Sequence, residues 1–139
     1  MAPAADRPKP EGPGTRRAIL EALAGGDSSP ALAGLDSGDD RVRATALAAL
    51  GRAGLLTAAR LTELANDHSP RVRRELAEML ATTPILPLTD LLGDADDTVV
   101  ETACGSAGEH QKPEAVSALV TIATSHSDSL CREAAVAAL

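Results

Sequence analysis

The side chains with chemistry to offer are few: His68, His110, His126, Cys104, Cys131 and a group of arginines. A structural zinc site needs four converging donors, yet the chain holds no C-x-x-C and no H-x-x-x-H. No metal is therefore expected. Two cysteines 27 residues apart do not make a disulfide framework, and neither thiol has a histidine or acid placed to activate it. They read as small buried residues. No phosphate-cradling glycine loop, nucleophile elbow or H-E-x-x-H stands anywhere, so no catalytic residue and no cofactor are expected. Arg41, Arg43, Arg71, Arg73 and Arg74 cluster at two helix starts and could bind phosphate. The competing reading is a set of ion pairs with Asp36, Asp39, Asp40 and Asp67.

Composition narrows the choice. Among 139 residues there is no Phe, Tyr or Trp, although 44% are hydrophobic. Ala (28) and Leu (19) must supply most of the core. Without rings there is no stacking platform for single-stranded nucleic acid and no interfacial aromatic belt. No apolar run approaches the length a membrane-spanning helix needs, and a cytoplasmic protein is expected. The net charge of −7 disfavours nucleic acid. It is unevenly placed: residues 1–81 are neutral overall, while 82–139 carry nine acids against Lys112 and Arg132. Asp94, Asp97 and Glu101 in that half make a docking face for a basic protein or peptide, and Arg41, Arg71 and Arg74 a second candidate surface.

The elements that would position these residues come from a repeat. DDRVRATALAAL (39–50) aligns without a gap on DSLCREAAVAAL (128–139), with related segments at 69–80 and 96–107. The anchor recurs at Val42, Val72, Val99 and Cys131, at intervals of 30, 27 and 32 residues. From each anchor an apolar stripe follows i, i+4, i+7, i+8, the pattern of an amphipathic helix. Asp39, Ser69, Asp96 and Asp128 stand three residues earlier as N-caps. Shorter apolar segments at 31–35, 55–65, 88–92 and 115–123 lie between, three of them led by Pro30, Pro87 and Pro113. One helix pair cannot bury both its faces, so neighbours must stack. The expected fold is all-α, an α-solenoid of about four helix pairs at 29–53, 54–83, 84–109 and 113–139. A capping helix at 15–27 precedes them, behind a disordered Pro-rich arm at 1–14. In that arm Arg7, Pro10 and Pro13 have the spacing of a polyproline ligand.

The motif D-x-x-V-R-x-x-A-x-x-A-L resembles the second helix of HEAT repeats, closest to the short phycobilisome-lyase-type variety. It is carried by Asp39, Val42, Arg43, Ala46, Ala49 and Leu50, and again by Asp128, Arg132, Ala135, Ala138 and Leu139. The resemblance implies a structural ladder of Asp39, Arg43, Asp67, Arg73, Asp128 and Arg132. Val100 replaces arginine in the third repeat and Gly105 falls inside its helix, so the ladder should break there and the repeat open most easily. The fold is a scaffold reused by many activities. The expected function is a non-enzymatic protein-interaction scaffold. The alternatives are a lyase-like accessory enzyme, or a nucleic-acid-binding solenoid using Arg41, Arg71 and Arg74. The apolar end at 129–139 suggests end-on self-association.

Overall fold

The structure, a computed structural model, describes residues 15–139; the arm at 1–14, with its Arg7, Pro10 and Pro13 spacing, lies outside the described residues. Helix α1 (Arg16–Ala24) is capped by Thr15, whose hydroxyl oxygen accepts from the Ala18 N–H at 3.2 Å. Four helix pairs follow. They are α2 (Ser29–Gly34) with α3 (Asp40–Arg52), α4 (Ala58–Ala65) with α5 (Pro70–Leu80), α6 (Thr89–Leu92) with α7 (Asp97–His110), and α8 (Val116–Ser125) with α9 (Ser129–Ala138). A single 3-10 turn, Pro113–Ala115, leads into α8. The described residues are all-α with no strand, stacked as a solenoid.

Each second helix packs on the next, α3 on α5, α5 on α7 and α7 on α9, and each first helix packs on its own partner. The stripe read from the sequence is buried: Val42, Ala46 and Leu50; Val72, Leu76 and Leu80; Val99, Ala103 and Ala107; Cys131 and Ala135. One further buried position sits five residues after each of the first three anchors, at Leu47, Ala77 and Cys104. A second helix is thus covered on two sides, by its own first helix and by its neighbours, so its apolar arc is wider than one stripe. In α9 the pattern differs: Val136 and Leu139 stand 63% and 59% exposed.

Capping follows the expected positions at three of four helices. The Asp39 carboxylate accepts from Arg41 N–H at 2.8 Å, Asp96 from Thr98 N–H at 3.0 Å, and Asp128 from Cys131 N–H at 3.0 Å. Ser69 does not cap with its side chain. Its hydroxyl donates to the Asp40 carboxylate of the preceding repeat at 2.7 Å, while Pro70 occupies the first helical turn. Gly105 does not interrupt α7, which runs through it with open space where a Cβ would point. Gly108, one turn on, lets α7 and α9 approach closely: a Cβ there would meet the Ala138 Cα at 3.0 Å.

Candidate interaction surface

Each anchor positions two residues that join the repeats. The residue after the anchor is Arg43, Arg73, Val100 or Arg132. The residue five before it is Ser37, Asp67, Asp94 or His126. That earlier residue closes its turn in all four repeats by accepting the N–H two residues on. Asp67 does so from Ser69 at 2.8 Å and Asp94 from Asp96 at 2.9 Å. Ser37 does so from Asp39, and His126 Nδ1 from Asp128, both at 3.2 Å.

The arginines then tie turn to turn. Arg43 donates to both Asp67 oxygens at 2.9 Å and to the Ser37 carbonyl at 2.8 Å. Arg73 donates to Asp94 at 2.7 and 2.9 Å and to the Asp67 carbonyl at 2.6 Å. Arg132 donates to the His126 and Ser127 carbonyls at 2.7 and 2.8 Å. Burial pushes the Asp67 and Asp94 carboxyls up, but the arginine forks, the turn N–H bonds and the positive charge together hold both below the usual range.

Several sequence assignments change here. Asp39 and Asp128 are helix caps, not partners of an arginine fork, because each is turned back on its own first turn. Asp94, read from the sequence as part of a binding face, is nearly buried and taken by Arg73. Asp97 and Glu101 do lie in the open on α7, with Glu109 further along it and Glu133 at the Glu101 position of α9.

Arg41, Arg71 and Arg74 do come together. They line a groove of about 300 Å³ between α1, α3 and α5, joined there by Arg16 and Arg52. Arg52 is the last residue of α3, more than three turns beyond the helix start, and Arg16 is on α1, so helix-start spacing gave no sign of either. The groove's one carboxylate is Glu75. Burial and the nearby Glu78 raise its pKa, against the pull of Arg52 and Arg74.

The sequence also missed one cluster. Asp97, His126 and Cys131 place a donor atom each within 4.8 Å of one another, across the third and fourth repeats. These are the residues that could approach a cation. Two of their atoms are already engaged: Cys131 Sγ donates to the Asp97 carbonyl at 3.1 Å, and His126 Nδ1 accepts from the Asp128 N–H. With Nδ1 accepting, the neutral ring carries its proton on Nε2, 3.9 Å from Asp97 Oδ1. Burial, and then neighbouring negative charge, push the Cys104 and Cys131 thiols up to about 11, so neither is a thiolate at neutral pH.

A family model describing HEAT repeats matches residues 28–84 and 82–139, which together cover all four helix pairs. The chain belongs to the HEAT-repeat family. A search of curated proteins returns no match. HEAT repeats commonly serve as protein-interaction scaffolds, and among the described residues no helix is long and apolar enough to cross a membrane.

Proposed function

We propose that this HEAT-repeat chain is a non-enzymatic interaction scaffold whose acidic C-terminal half receives a basic protein or peptide. The observation that carries the reading is the register of Glu101 and Glu133. They hold equivalent positions on the packed helices α7 and α9, both exposed and neither in an ion pair among the described residues. Asp97 and Glu109 extend the same acidic surface along α7. The protonated thiols of Cys104 and Cys131 support a binding role over catalysis. A nucleic acid laid along the second helices would run from arginines into these acids, which favours a protein partner.

A lysine-rich peptide titrated against the full chain tests this. Binding is expected to weaken steeply with salt and to be lost in Glu101→Lys with Glu133→Lys. Retention of full affinity in that double variant would sink the reading.

A second reading concerns α9. Leu130, Val136 and Leu139 are exposed there, whereas Leu47 and Leu50, in the registers of Val136 and Leu139, are buried on α3. That contrast favours end-on self-association through 129–139. Light scattering on the chain and on Val136→Glu with Leu139→Glu checks it. A concentration-independent monomer for the unaltered chain would dismiss it.

A further inference from the structure

We infer that the groove between α1, α3 and α5 is a separate binding site for a short carboxylate-rich protein segment. The arginines fall into two sets by register. Arg43 and Arg73, one residue after their anchors, point between repeats and spend their charge on Asp67 and Asp94. Arg41 and Arg71, one residue before the anchors, and Arg74, two after, turn to the other side and face the groove. Arg16 and Arg52 complete its rim. Among the described residues Arg16, Arg41, Arg52 and Arg74 have no carboxylate in ion-pair contact. Arg71 has a loose one, its Nε 3.6 Å from an Asp40 oxygen that already accepts the Ser69 hydroxyl at 2.7 Å.

Five guanidiniums set against the single Glu75 carboxylate leave the depression positive, and an entering anion relieves the remaining repulsion while gaining fork hydrogen bonds. The floor suits a chain segment. Ala44, Thr45 and Ala48 are short, so a backbone can come close to α3, and Leu20 gives an apolar wall 46% exposed.

A guanidinium fork accepts carboxylate and phosphate alike. The surroundings choose between them. Past Arg52 the groove runs into a depression of about 470 Å³ bordered by Glu75, Glu78 and Met79. A uniformly charged phosphate backbone continuing that way meets like charge, and no aromatic residue is present to stack a base. A peptide can match the change of sign. The fitting ligand carries a few acidic residues over the arginines, followed by a basic residue toward Glu78.

The site is independent of the acidic half and prefers the opposite charge, so the two stand or fall separately. The experiment uses the full chain and a fluorescein-labelled peptide of alternating glutamate and alanine. Its lysine counterpart and single-stranded and duplex DNA serve as comparisons, with anisotropy read at low and moderate salt. The glutamate peptide should bind and shift amide resonances of α1, α3 and α5. Arg74→Glu should weaken it by about tenfold, and Arg17→Glu by less than about twofold. Arg17 is the fair control, being on α1, 86% exposed and outside the groove. Glu101→Lys with Glu133→Lys should not weaken it. No binding at low salt, an equal loss in Arg17→Glu, shifts confined to α7 and α9, or tighter binding of DNA than of the peptide would each overturn the assignment.

Discussion

The junctions between the first three repeats and the junction between the third and fourth close the same kind of turn but tie it to the upstream helix differently. At the first two, the upstream helix supplies the cation and the downstream turn the acid: Arg43 with Asp67, then Arg73 with Asp94. At the last, Val100 fills the arginine position and is 1% exposed. The turn residue is now His126, and the upstream acid is Asp97, 3.9 Å from the ring. The turn itself survives, because His126 Nδ1 accepts the same N–H that Asp67 and Asp94 accept elsewhere. The slot therefore requires an acceptor for its own backbone. The link across to the next helix is an addition that can be ionic or apolar, provided both members change together.

Breaking one member alone should have the largest effect. Arg43→Val leaves Asp67 nearly buried without its fork, and a loss of about 3 kcal/mol is expected in urea unfolding. Adding Asp67→His recreates the Val100 and His126 pairing at the earlier junction and should recover about 1 kcal/mol or more. Equal stability of the single and double variants would show that the two positions are not coupled and that the comparison between junctions is wrong.

Acid should separate the junctions next, by no more than that deletion. Asp67 and Asp94 are held below their ordinary range, so the unfolded chain takes up their protons at higher pH than the folded chain. Their contribution is present above about pH 4 and is lost as pH falls through the lower folded values. Urea midpoints measured from pH 7 to pH 3 should fall in this window. In Asp67→Asn with Asp94→Asn the fall should be shallower; an unchanged slope would place the acid sensitivity elsewhere.

The repeat was legible because helix periodicity, caps and anchors are all local. Val42, Val72, Val99 and Cys131 mark four second helices without any knowledge of contacts, and they are fully or almost fully buried. What depends on the stacking step was not legible. Asp39 and Asp94 are both turn acids near a helix start, but only the relative placement of two repeats decides which one an arginine reaches. The same holds for Arg16 and Arg52, which join the arginine groove only once α1 lies beside α3. His126 is a turn residue like His68 in the sequence. Its role appears only from its register, five residues before the Cys131 anchor in the place of Asp67 and Asp94.

The smallest effect tests whether the third repeat is the weak one. Val100 and Gly105 were together the sequence's reasons for expecting the third repeat to open first, and the helix runs through Gly105 unbroken. Its side faces open space, so Gly105→Ala should simply remove backbone freedom from the unfolded chain and stabilise by about 0.5–1 kcal/mol. Gly108→Ala is the counterpart, since its methyl group would press on the Ala138 backbone and push α9 off α7, with a loss of about 1–3 kcal/mol. Hydrogen exchange across 96–107, compared with 70–81, reads both. If Gly105 limits the third repeat, Gly105→Ala raises protection along α7 and leaves 70–81 unchanged. If the missing arginine fork limits it, α7 stays the faster-exchanging helix in Gly105→Ala, and the weakness belongs to the junction at Val100.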